Sequence, residues 1–130
     1  MKRPFLNLTI KRRWLDMIRA GVKREEYRSP DCRQLHDLDS KLLWADRGPG
    51  PMSHPFLVLR AGYSPTSAAL VAEIVCIASP IDPKTTELVP PGPRHPEWGE
   101  PATPHYTIAL GMHLKSGTYA ECRAWWEALP

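Results

Sequence analysis

No apolar stretch in this sequence approaches the roughly 20 residues needed to cross a bilayer as a helix. The opening MKRPFLNLTIKRRW has a basic flank, but its apolar stretch is short and charges resume at once, so it does not read as a secretory signal. Cysteine is scarce: Cys32, Cys76 and Cys122 are an odd number at wide spacing. That argues against a disulfide framework and for a reducing, cytoplasmic location. Also missing are a Walker loop, a G-x-G-x-x-G turn and a nucleophile elbow. Cys32 and His36 are four apart, but no second Cys/His pair completes a tetrahedral set, so neither a metal nor a cofactor is expected.

Proline, by contrast, is abundant. Of the 15, most fall between Pro49 and Pro104, a density that excludes a helical bundle because each proline removes a donor and restricts the residue before it. A chain of 130 residues is one domain by length, large enough for a real core, and short strands joined by stiffened loops fit it best. The net charge of +3 conceals an asymmetry. Residues 1–28 carry nine Lys/Arg against three Asp/Glu, while the remainder sums to minus three. Such a basic third suits an anion-binding surface, nucleic acid being the commonest partner, and equally suits a solvated charged face.

Hydrophobic patterning predicts a strand over residues 5–10, then a helix with Trp14, Leu15 and Ile18 on one face and Gly21 at its left-handed end. Lys11, Arg12 and Arg13 stand at the start of that helix, where the macrodipole disfavours cations by about 0.3–1 kcal/mol each. A demand other than stability, such as holding a phosphate, would account for them. A strand over residues 22–28 follows. Leu35, Leu38, Leu42 and Trp44 mark the inward side of a short helix or irregular segment. Residues 56–63 and 68–78 read as a hairpin about the turn SPTS, residues 105–111 as the next strand, and residues 80–104 as a long loop with a purpose. The chain ends in a helix with a Thr118/Glu121 capping box and an apolar stripe of Tyr119, Cys122, Trp126 and Leu129.

Several residues could carry chemistry. On a regular strand Lys23, Glu25 and Tyr27 point one way, and Arg24, Glu26 and Arg28 the other. A lysine buried beside a glutamate loses hydration, and its amine becomes a general base or nucleophile; the plainer reading is a solvated strand with weak salt bridges. Cys76, in an apolar run, reads as core. Glu73 interrupts that run and faces either solvent or a polar cavity. In HPEWGEP, Glu97 and Trp98 sit between proline and glycine, offering an acid and a π-face that could stack a base or plug a barrel end.

With these residues in view the chain resembles the ASCH domain family of the PUA-like superfamily, in its small single-domain phage and bacterial form. The similarity runs from about Leu6 to Gly111, with residues 115–130 as a C-terminal helical extension. Its most specific part is a helix followed by G-x-K-x-x-E-x-R, here Gly21, Lys23, Glu26 and Arg28. The resemblance implies an α+β fold, a partly closed, mainly antiparallel β-barrel with flanking helices, and a cleft floored by the Lys23 segment. It implies binding of RNA or nucleotides. Lys11, Arg12, Arg13 and Arg19 would hold phosphates, while Arg28, Glu26 and Trp98 hold a base, a modified one included.

Some small members of the family hydrolyse the amide of N4-acylated cytidine, and another has been described as a ribonuclease. The amidohydrolases use a lysine matched by Lys23, a threonine where this chain has Glu26, and a later glutamate. Glu97 and Glu87 both lie in the corresponding loop, and PEWG favours Glu97. The alternative function is therefore a small hydrolase with Lys23 as base or nucleophile and Glu26 or Glu97 as proton shuttle. A third reading, a phage protein that occupies a host factor, rests on Trp125 and Trp126, one of which must face away from the stripe of the last helix.

Overall fold

A computed structural model describes residues 5–35 and 55–130. Five strands form one mixed sheet: β1 (Phe5–Thr9), β2 (Glu25–Arg28), β3 (Phe56–Arg60), β4 (Ala68–Ala78) and β5 (Tyr106–Thr118), in the spatial order β1-β3-β4-β5-β2. Among the described strands the β1–β3 pair is parallel and the other three pairings are antiparallel. Among the described residues, helices α1 (Arg12–Arg19) and α2 (Tyr119–Glu127) flank the sheet. The class is α+β, and the sheet curls into a half-barrel.

The alternation of β1 explains the two-sided core. Leu6 and Leu8 point to one face, where they join Leu57, Leu59, Leu70, Ile108 and the buried α1 residues Leu15 and Ile18. On the opposite face Phe56, Val58, Ala69 and Val71 pack beneath Cys122 of α2. Central strand β3 is consequently apolar on both faces and buried over its first four residues. Phe5 stacks on Phe56 at 5.1 Å between ring centroids. Trp126 leans on Phe5, and Trp125 meets Phe56 edge-on. Neither tryptophan of the pair faces away from the packed side of α2, contrary to expectation, and the two rings cover the strand β1–β3 border together. The capping box that starts α2 is present in both directions.

Three irregularities in the β4–β5 pairing bend the sheet. They also correct the placement of Cys76. A register shift between Ile74 and Cys76 breaks the alternation, so Val75 and Cys76 are both exposed before Ile77 returns to the core. Glu73, half-buried, accepts from the Met112 backbone N–H at 3.2 Å and so serves the bulge. Strand β5 runs seven residues past the expected end at Gly111, pairing with β4 as far as Thr118. Residues 115–118 are therefore sheet, and the helix alone follows them. All three cysteines are free thiols. Leu35 is fully buried, whereas Leu38, Leu42 and Trp44 lie outside the described residues. Among the described residues no helix is long and apolar enough to cross a membrane.

The two outer strands of the curled sheet are tied by one side chain. Arg28 of β2 donates to the Thr9 carbonyl of β1 at 2.7 Å, and the same nitrogen meets Glu26 Oε2 at 3.1 Å.

Candidate functional site

Lys23 is placed by the way α1 ends. Gly21 takes φ +80, and the N–H groups of Gly21 and Val22 donate to the Ile18 and Met17 carbonyls, a Schellman closure. The Lys23 N–H also reaches the Met17 carbonyl, at 3.1 Å. Lys23 is therefore part of the helix ending and precedes β2, which begins at Glu25. The strict alternation expected over residues 22–28 does not extend to it. Lys23 and Glu26, placed by that alternation on opposite faces, instead come within 3.7 Å.

Only 1% of Lys23 is exposed. Its ammonium donates to the Trp98 carbonyl at 2.6 Å and lies 4.5 Å from the Tyr27 ring centroid and 5.4 Å from that of Trp14. Burial pulls the Lys23 pKa below its ordinary value, with Glu26 opposing the shift. Glu26 is itself buried and well supplied, accepting from the Tyr27 N–H at 3.0 Å and from Arg28. Lys23, Glu26 and Arg28 thus form one ionic row closed over by a carbonyl and two aromatic rings. Such a buried row stabilises little for the desolvation it costs, but breaking it is expensive.

The turn that closes over Lys23 is Pro96–Trp98, ended by Gly99 at φ +82. A methyl group at Gly99 would come within 2.8 Å of the Trp14 ring, so glycine lets the turn rest flat on α1. Trp98 is half-buried, and its ring stacks on His95 at 4.2 Å. Glu97 is exposed and directs its carboxylate to His95 Nδ1 at 3.2 Å. Its own backbone N–H, ahead of His95, lowers the Glu97 pKa. Lys23 meets this turn through the Trp98 carbonyl; among the described ion pairs it has Glu26 as partner and not Glu97. Glu87 is exposed, beside the isolated bridge between Ile81 and Leu88.

A cavity of about 310 Å³ opens next to this turn. Its polar lining comes from Glu25, Ser79, His95, Glu100, His105 and Thr107, and its apolar wall from Val89 and the prolines of the long loop. The volume is at the lower end of the range for small-molecule sites. Glu25 accepts from the Tyr27 hydroxyl at 2.9 Å, and Tyr27 meets His105 edge-on at 5.3 Å. Burial, then the bond to Glu25, pushes the Tyr27 pKa well above its ordinary value.

His105 Nδ1 lies 2.7 Å from the Thr103 carbonyl, which only accepts, so that nitrogen carries a hydrogen. Nε2 lies 3.1 Å from Glu100 Oε2. Glu100 Oε1 accepts from the His95 N–H at 2.8 Å. The acid, the imidazole and the turn are therefore locked to one another.

Sequence reasoning did not single out Glu100, His105 or Glu25 as parts of one cavity. The signal available was the pair in GEPATPH, Glu100 and His105 five apart across two prolines, a spacing that no helix or strand period makes meaningful. The basic residues lie as follows. Lys11, Arg12 and Arg13 are exposed at the start of α1, Lys11 being its N-cap without a side-chain cap. Arg12 pairs with Asp16 at 3.0 Å, and the Arg13 guanidinium lies 4.0 Å over the Trp14 ring. Arg19 is half-buried, with Nη2 3.5 Å from the Ala69 carbonyl. Among the described residues no group of three metal-ligating side chains is present. Comparison with protein-family models, with curated proteins and with solved structures finds no match to this chain.

Proposed function

We propose that this chain is an RNA- or nucleotide-binding protein of the ASCH type, with the PUA-like partly closed barrel, which holds a base in the cavity and phosphates along the start of α1. One relationship carries the reading. The turn that walls the cavity with His95 and Glu100 rests through Gly99 on Trp14, and Arg13 lies over that same ring. A base-sized recess and an exposed cationic helix start thus share a common wall, as base recognition joined to phosphate positioning requires. Equilibrium binding of a labelled single-stranded oligoribonucleotide at graded salt tests it. Contact with two or three phosphates gives a log–log slope of about −1.4 to −2.1 for a single strand. A salt-independent affinity, or none for any RNA or DNA, overturns it.

The buried, pKa-depressed Lys23 beside Glu26 favours a second reading, a small amidohydrolase acting on N4-acylated cytidine or, failing that, a ribonuclease. In that reading the Trp98 carbonyl must leave Lys23 before a substrate can reach the amine. Incubation with N4-acetylcytidine, wild type against Lys23→Ala, decides it; equal turnover by both, or turnover by neither, sinks it.

A further inference from the structure

We infer that the cavity selects a base with two adjacent N–H donors, a guanine-type edge, and takes it without its phosphate. The inference rests on the nucleoside reading above and specifies its ligand. Among the described residues no lysine or arginine lines the cavity, whereas two carboxylates do. A phosphate inside would face Glu25 and Glu100 with neither a lysine nor an arginine of that lining to offset them. The phosphates are thereby left to the exposed start of α1.

The two carboxylates differ in what they have left to offer. Both oxygens of Glu100 are engaged, Oε1 by the His95 N–H and Oε2 by His105. His105 in turn has both ring nitrogens occupied, by Glu100 and by the Thr103 carbonyl. Glu25 has only Oε1 engaged, by the Tyr27 hydroxyl at 2.9 Å. That bond fixes the carboxylate while leaving Oε2 and the second lone pair of Oε1 as acceptors. A carboxylate with two parallel oxygens is matched by two parallel donors, which among the common bases only the N1–H and N2–H of guanine provide. Ser79 and Thr107 are in the same lining, with hydroxyls to serve the neighbouring exocyclic O6, and Val89 with Pro90 and Pro91 supplies apolar surface for a ring face.

Isothermal titration of the whole protein with guanosine, inosine, adenosine, cytidine and 5′-guanosine monophosphate tests the inference. Guanosine is expected to bind most tightly. Inosine, lacking the exocyclic amine, is expected to bind about tenfold more weakly and adenosine more weakly still. The monophosphate should gain nothing over guanosine at high salt. Glu25→Gln keeps an acceptor for Tyr27 but puts an amide against the ligand, and should reduce the guanosine-to-inosine ratio to near one. Because the nucleoside series is measured on the unaltered protein, it decides the question even where the variant is poorly folded. Preference for cytidine or adenosine, or guanosine binding unchanged in Glu25→Gln, overturns the guanine assignment and leaves the nucleoside reading standing. Failure of every nucleoside to bind overturns both.

Discussion

The ammonium of Lys23 donates to the backbone carbonyl of Trp98 at 2.6 Å, across 75 residues of chain. The contact joins the end of α1 to the turn that walls the cavity, so the ionic row under the sheet and the recess beside it belong to one mechanical unit. Removing the lysine should therefore be felt in both places. Lys23→Ala leaves the Trp98 carbonyl and one side of Glu26 buried without their donor, and is expected to cost about 3 kcal/mol in urea unfolding. Lys23→Met keeps the volume and should cost less. Equal stability of wild type and Lys23→Ala would show that the row is not formed.

Opposed shifts at Lys23 and Tyr27 make stability depend on pH in the alkaline range. Lys23 titrates below its ordinary 10.5 in the folded chain, so between those two values the unfolded state holds a proton that the folded state has lost. Stability from this group rises with pH across that window and is complete above the unfolded value. Tyr27 titrates above its ordinary 10.0 when folded, so the unfolded state loses a proton first and stability falls as pH passes that value. Urea midpoints from neutral pH upward should show a rise followed by a decline. Lys23→Met should remove the rise, and Tyr27→Phe should reduce the decline, to which the buried Cys122 thiol, pushed above its ordinary 9.0, also contributes.

Gly99→Ala tests the seat of the turn. Its φ of +82 and the 2.8 Å approach to Trp14 leave no room for a methyl group, so the turn must lift or the ring must move. A loss of about 1–3 kcal/mol is expected, with a change in tryptophan fluorescence and weaker oligonucleotide binding. The same substitution at Gly92, where nothing lies within 4 Å, should be nearly neutral.

Arg28→Lys tests the tie between the edge strands. A lysine retains the charge, but its shorter side chain cannot set an ammonium where Arg28 Nη2 bonds both the Thr9 carbonyl and Glu26 Oε2. Amide exchange along residues 25–28 should accelerate, while exchange within β3, buried on both faces, stays slow.

These contacts show where sequence reasoning reached and where it stopped. The helix over Trp14, Leu15 and Ile18 ending at Gly21, the β3–β4 hairpin and the capped C-terminal helix were legible because each is set by local periodicity or a local cap. Cys76 was misplaced because bulges reset the alternation of β4, and nothing in an apolar run reveals a bulge. Alternation from Val22 puts Lys23 and Glu26 on opposite faces, but β2 begins three residues later, at Glu25, because the Schellman closure at Gly21 extends through Lys23. The cavity was illegible. Its walls come from β2, β5 and a proline-rich loop whose course depends on a Glu100–His105 bond at a spacing no helix or strand period marks, and on a glycine fitted to Trp14, distant in sequence.

An oligoribonucleotide held by its base in the cavity and by its phosphates along α1 must touch the protein in both places. Amide chemical-shift mapping with a single-stranded pentaribonucleotide is expected to move two groups of signals together. These are the cavity wall, at Val89, His95, Glu100 and Thr107, and the start of α1, at Lys11–Trp14, with the second group alone fading as salt is raised. Shifts confined to the start of α1, with the cavity silent at every salt concentration, would contradict that mode of binding.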